Sequence, residues 1–419
     1  MPVRRFQGGW MVALGAAVVL SVLFLSGCAS RGNTTLSPEL VSSGWSNPSA
    51  LAPVADFDAY VGSVTHELRK HRVPFDSSMA DTELSLVAPF RVAASAECKS
   101  ATPRGIAILI HGLSDTAFAM RDLANSFSRQ CFEARALLLP GHGTRAADLM
   151  VVDHNDWLTH VRAAVLQAHR ENDFVVIAGF SLGAAIALAV AAEAPDVVDA
   201  VVGLSPAYRI RSPFAARQAR WIASFRPWLT AGPRAEFARY SAMPTRGIAS
   251  TMAVLDTMDA QISSLGSLRT PWLLVQSEDD EVVDVAENRR FFDANAADDR
   301  SMMVNYFSGQ PKPVTSQRVT WLAAANAPLR VVGISHLAVH IAPENPHYGV
   351  TGSYRNCGST PFRQADEIRS CQQAERVWYG VGGQLPPPGE AGARATFNPH
   401  YPDLERRLGE FLTTVKLSR

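Results

Sequence analysis

The sequence predicts a mostly parallel β-sheet flanked by helices, with a helical insertion over the sheet's functional end. Three observations carry this. From Gly105 onward, short apolar runs alternate with helix-length segments, the pattern of a parallel sheet covered on both faces. Within that stretch, Asp173–Asp196 reads as a strand, a Gly-Phe-Ser-Leu-Gly turn and an alanine-rich run closed by Pro195. Finally, residues 207–270 are too long for a simple connection and have helical spacing of their own.

Taken in order, Asp56–Arg72 has helical spacing, and Leu84–Ala94 is read as a first pair of strands. Ile106–Ile110 is a buried strand, Ala119–Arg129 an amphipathic helix, Ala134–Leu139 a strand and Trp157–His169 a helix. Phe174–Ala178 and Leu182–Ala194 form the strand and helix around the glycine-rich turn. Strands are then expected at Val197–Leu204, Trp272–Gln276 and Leu329–Ser335, and a closing amphipathic helix at Tyr401–Val415. In the insertion at 207–270, Trp221, Phe225 and Trp228 are either its own core or the lining of an acyl pocket. A second insertion, 341–398, is rich in Pro and Gly and reads as ordered but irregular. No internal repeat is evident.

Gly179-Phe180-Ser181-Leu182-Gly183 matches G-x-S-x-G. By chance alone, roughly one chain of this length in seven would contain it, so the strand-turn-helix context carries the weight. A serine on such a sharp turn stands clear of the sheet edge, glycines two residues to either side allow close backbone approach, and the first helix amide can stabilise a developing oxyanion. A nucleophilic serine needs a base, and the base an orienting carboxylate. Ser277-Glu278-Asp279-Asp280-Glu281 follows one expected strand and His336 follows another, in the chain order Ser, Asp, His.

These residues, with His111-Gly112-Leu113, Leu139-Pro140-Gly141-His142-Gly143 and Asp156-Trp157, resemble the α/β-hydrolase superfamily. The likeness is greatest to its monoacylglycerol lipase, lysophospholipase and serine-aminopeptidase-like branch. It spans about Gly105 to His340 plus the final helix, and it implies an α/β-hydrolase fold with an inserted cap. By this resemblance Ser181 is the nucleophile, Asp280 the acid and His336 the base, and the amides of Leu113 and Leu182 form the oxyanion hole. Glu278, Asp279 and Asp284 are rival acids and His340 a rival base; His111 and His142 read as structural. The long tail beyond His340 departs from compact members of the branch.

At the other end, Arg4 and Arg5 precede an apolar run, Trp10–Leu25, that is short for a span of ~20 residues. Leu25-Ser26-Gly27-Cys28 resembles the bacterial lipobox, whose cysteine is lipidated and becomes the mature N-terminus. Residues 1–28 are accordingly expected to be a lipoprotein signal peptide, with an uncleaved membrane anchor as the alternative. Residues 29–53 are read as a flexible tether and 54–419 as the hydrolase domain. Ala29 and Ser30 lack the aspartate associated with inner-membrane retention, so the resemblance implies an outer-membrane address facing the periplasm. Setting Cys28 aside leaves Cys98, Cys131, Cys357 and Cys371. An even number in an exported chain suggests disulfides, and four cysteines allow three pairings. The local pairs, Cys98 with Cys131 and Cys357 with Cys371, are expected, against the alternative of four reduced thiols.

Lys plus Arg equal Asp plus Glu at 39 each, so no global charge directs the chain to nucleic acid. Its 47% hydrophobic and 19% charged residues suit a globular protein with a substantial core. No metal-ligand spacing and no phosphate-cradling loop is present, so neither metal nor cofactor is expected. The expectation is therefore a serine hydrolase of carboxylic esters, of lipid or acyl-glycerol type, acting on a small-molecule or lipid ester at a membrane surface. An aminopeptidase-like amide hydrolase is one alternative. It would need an acid in the cap to hold an amino terminus, and the cap offers only Glu236, Asp256 and Asp259 amid arginines. A non-catalytic envelope lipoprotein of the same fold is the other.

Overall fold

An eight-stranded sheet forms the centre of the molecule, in the order β1-β3-β2-β4-β5-β8-β9-β10. The computed structural model describes residues 37–45, 56–100, 102–232, 234–310, 316–358, 365–381 and 386–417, within a unit running from Pro38 to Arg419. The proposed signal segment with Cys28, and most of the proposed tether, lie outside the described residues. The strands are β1 (Phe90–Val92), β2 (Gly105–Ile110), β3 (Phe132–Ala136), β4 (Val175–Phe180), β5 (Ala200–Leu204), β8 (Trp272–Ser277), β9 (Met302–Phe307) and β10 (Val319–Ala323). Only the edge strand β1 is antiparallel to its neighbour. β2 and β4 are buried along their whole length, which explains their uninterrupted apolar runs.

Helices cover both faces. On one side lie α1 (Phe57–His71), α4 (His154–Glu171), α5 (Leu182–Glu193) and α7 (Thr245–Leu265), packed into a single apolar cluster. On the other lie α3 (Arg121–Arg129) and α10 (Tyr401–Leu417). α5 is buried on all sides except at Glu193, so its alanine-rich sequence is that of a helix packed all round. α4 begins with a reciprocal cap between Asp153 and Asp156.

Three expectations require correction. Leu84–Ala94 holds helix α2 (Ala80–Val87) and the single short strand β1 rather than two strands; Glu83 anchors the segment by accepting the amides of Phe75 and Asp76. Leu329–Ser335 is not a strand. The last two strands are β9 and β10, and Val331 makes only isolated bridges to Asn326 and Tyr379. The insertion proper also ends near residue 244. Met252, Val254, Leu255, Met258 and Ile262 of α7 belong to the core beside α5, so this helix is part of the sheet's own layer. What remains above the sheet is α6 (Pro213–Ile222) and a small hairpin of β6 (Trp228–Thr230) and β7 (Met243–Pro244). Trp221 and Phe225 are 74% and 90% exposed, so they form neither cap core nor pocket lining.

Cys98–Cys131 and Cys357–Cys371 are disulfide-bonded. The second lies in the irregular segment, together with α9 (Ala365–Gln373) and a parallel pair, β11 (Trp378–Gly380) and β12 (Gly392–Arg394).

Candidate active site

The register of β2 against β4 pairs Ile110 with Gly179. The loop after β2 and the turn after β4 therefore emerge side by side at the strands' carboxyl ends, where ligands bind in open α/β sheets. Ser181 occupies the turn with φ 53° and ψ −115°, a left-handed φ that costs a non-glycine residue about 1–3 kcal/mol. Its neighbours hold it there: the Ser181 amide donates to the Leu204 carbonyl at 3.0 Å, and its carbonyl accepts from Ala184 and Ala207, both at 3.1 Å. The flanking glycines are required sterically. A Cβ on Gly179 would stand 2.2 Å from the Gly183 backbone, and one on Gly183 would stand 2.2 Å from the Ile110 carbonyl oxygen.

Ser181 Oγ lies 2.9 Å from His336 Nε2, and His336 Nδ1 lies 2.7 Å from Asp280 Oδ2. A carboxylate only accepts, so Nδ1 carries the proton toward Asp280 and Nε2 is free to accept from the serine hydroxyl. Asp280 is fully buried. Its other oxygen accepts the amides of Val282 and Val283 at 2.8 and 3.0 Å, which fixes the carboxylate's orientation toward His336. The structure thus brings Ser181, Asp280 and His336 together although they are 155 and 56 residues apart along the chain.

The rival residues have other partners. Asp284 caps α8 (Val285–Asn295) by accepting the Glu287 amide at 3.0 Å. Asp279 accepts from Ser308 Oγ and the Ile334 amide, bracing the loop that carries His336. Glu278 lies 3.7 Å from Arg289. His340 is buried, stacks on Phe180 with ring centroids 4.0 Å apart, and is kept neutral by burial, its pKa pushed down to about 3.

His111 and His142 fix the loop after β2. His111 Nε2 accepts the Leu139 amide at 3.0 Å while Nδ1 donates to the Gly112 carbonyl; His142 Nε2 accepts the Ser114 amide at 3.3 Å. Both act as acceptors and so must stay uncharged, and burial lowers the pKa of each, that of His142 to about 4. The loop they hold presents the Leu113 amide, and α5 begins at Leu182 with no side-chain cap over its amino end. Neither amide donates to a protein acceptor among the described residues. Both therefore remain available, the Leu182 amide at the positive end of the α5 dipole.

Several residues at the site had no motif to announce them. Arg394, from β12, ion-pairs with Glu281, which also accepts the His336 amide at 3.3 Å. Asp115 is buried beneath the Gly112 loop, and desolvation pushes its pKa up to about 7. Arg239, Tyr348 and Tyr354 form one wall of a pocket beside Phe180. Asp115 lies only two positions after Leu113, and that closeness was its one signal in the sequence. Among the described residues, no group of three or more His, Cys, Asp or Glu could hold a metal ion.

Comparison with known proteins finds partial similarities. A family model described as Serine aminopeptidase, S33 matches residues 101–305, a stretch that contains Leu113, Ser181 and Asp280 and stops short of His336. A thermostable monoacylglycerol lipase from a Bacillus species is 25% identical over 186 residues, which cover 43% of this chain and 72% of the relative. Among solved structures, a monoacylglycerol lipase from Paleococcus ferrophilus aligns with a TM-score of 0.43 at 17% identity, covering 52% of this chain and 88% of its own. A soluble variant of a monoglyceride lipase from Saccharomyces cerevisiae aligns with a TM-score of 0.44 at 14% identity, covering 52% and 82%. With its parallel sheet and flanking helices the chain has the α/β-hydrolase fold, and over residues 101–305 it is similar to the Serine aminopeptidase, S33 family.

Proposed function

We propose that the chain is a serine hydrolase of carboxylic esters, of lipid or acyl-glycerol type, working through an acyl-enzyme. The observation that carries this reading is the hydrogen-bonded series Ser181–His336–Asp280. Ser181 Oγ attacks the acyl carbon as its proton passes to His336 Nε2, and the new imidazolium is held by Asp280. The amides of Leu113 and Leu182 receive the oxyanion, each worth about 3 kcal/mol in the transition state. The histidine then returns the proton to the leaving alcohol. In the second half, water gives its proton to the same nitrogen and attacks the acyl carbon; the bond to Ser181 Oγ breaks, the histidine returns the proton to Oγ, and the acid is released.

An aminopeptidase would need a free carboxylate in the cap. Asp256 and Asp259 lie on α7, outside the cap, and pair with Arg217 and Arg209, both at 3.0 Å. Glu236 accepts from Tyr348 Oη and the Ala238 amide, lies 3.1 Å from His347 Nε2 and meets Arg239. With all three acids engaged, ester hydrolysis is the better reading. The monoacylglycerol lipase relative supports a glyceride ester. Ser181→Ala is expected to abolish both the hydrolysis of short p-nitrophenyl esters and labelling by a fluorophosphonate probe. Full labelling of that variant would overturn the assignment.

A further inference from the structure

Beside Ser181 and His336 lies a small pocket, part of it open to solvent, with room for a compact group only. Phe180 and Leu337, the neighbours of Ser181 and His336, form one side. Asp115 and Arg239 lie on another, and Tyr348, Tyr354 and Thr396 are supplied by the irregular segment after His340. An aliphatic acyl chain would need none of these polar groups. Arg239 meets Glu236 through Nε at 3.4 Å and has Tyr354 as a second side-chain partner. A guanidinium has five N–H donors in a planar fork, so donors remain for a ligand. His340 is the second, independent sign. Its side chain lines the same pocket, the residue is 2% exposed, and neither ring nitrogen finds a partner among the described residues. An unsatisfied buried imidazole is costly unless something completes it.

We propose that this pocket seats part of the ester substrate and selects a compact anionic group, a carboxylate or a phosphate, received by the Arg239 fork with His340 completing the contact. The inference rests on the ester-hydrolase reading and narrows its substrate class. Asp115 is the opposing group in the pocket. It faces Arg239, Glu236 and His336 and lies against the Gly112 amide, and its carboxyl holds a proton up to about pH 7. Anion selection is therefore strongest below pH 7 and fades above it, as Asp115 ionises beside the ligand.

The test compares mono-p-nitrophenyl adipate with p-nitrophenyl hexanoate, which match in chain length and differ by the terminal carboxylate. The wild-type ratio of kcat/KM at pH 6 is expected to exceed that of Arg239→Gln by at least ~10-fold, the weight of a charge-assisted pair. It should decline toward pH 8 in the wild type but not in Asp115→Asn. Arg239→Lys keeps the buried charge opposite Glu236 and loses the fork, so it reads the same ratio should the Gln variant fail to fold. Free adipate and glycerol 3-phosphate as competitors distinguish carboxylate from phosphate. Equal ratios in wild type and variants, with neither anion competing, would overturn the subsite and leave ester hydrolysis standing. Absence of turnover on both esters would instead count against the hydrolase reading. In that case calorimetry of the two anions with wild type and Arg239→Gln still decides the subsite, since binding lost in the variant supports it and no binding to either refutes it.

Discussion

Four histidines are held neutral in the core: His111, His142, His160 and His340, each with its pKa lowered chiefly by burial. In the unfolded chain they titrate near 6.5, so below that pH the unfolded state binds more protons and stability falls. Asp115 acts in the opposite sense. Its folded pKa is raised above the unfolded value, so between about 4 and 7 the folded state holds the extra proton and stability falls as pH rises. Burial also raises the carboxyls of Glu39 and Asp122, which act in the same sense as Asp115. The four histidines carry the larger effect in this range, so lowering the pH from 6.5 to 5 is expected to cost a net of roughly 3 kcal/mol, read from urea unfolding at the two values. A flat or rising profile would show that these histidines are protonated in the folded protein.

At the scale of elements, the turn that carries Ser181 is fixed by strand pairing, whereas the loop that carries His336 is fixed by side chains. Ser308, Asp279, Glu281 and Arg394 do there what a strand would have done. Similarly, Arg72, buried at the end of α1, donates to the Gly143 and Phe237 carbonyls and joins the N-terminal helix to the turn after β3 and to the cap. The Cys98–Cys131 bridge spans 33 residues and ties the segment after β1 to the start of β3. Cross-linking a loop of that length restricts the unfolded chain. Replacing both cysteines by serine is therefore expected to lower stability by about 2–4 kcal/mol, measured by denaturant titration, while fluorophosphonate labelling of Ser181 persists. An unchanged midpoint would mean that the bridge adds nothing.

For the molecule as a whole, we propose a lipid anchor at Cys28 that holds the domain at the outer membrane facing the periplasm. No helix among the described residues is long and apolar enough to cross a membrane. The proposal rests on Leu25-Ser26-Gly27-Cys28 and the basic, then apolar, run before it. Cells fed an alkyne analogue of palmitate are expected to label the wild type and not Cys28→Ser, with the variant moving to the soluble fraction. Equal labelling of both would place the lipid elsewhere or remove the idea.

The Ser181 turn was legible because everything that defines it is local. A buried strand, two glycines that tolerate no Cβ and an alanine-rich helix lie within Asp173–Asp196. Asp280 was legible for a related reason, since it closely follows a strand that opens with the apolar run Trp272–Val275. The sequence also determined the order Ser181, Asp280, His336. Tertiary structure alone decided what surrounds them. The strand expected before His336 is a loop, because the ladder there had already been completed by β9 and β10. α7 left the cap for the core because its apolar stripe packs against α5, a partner its own periodicity cannot name. Arg239, His340 and Tyr354 share one pocket although 101 and 14 positions separate them in turn. A charge, a ring and a phenol so far apart acquire a common function only when the chain closes over the sheet, and no local pattern encodes that closure.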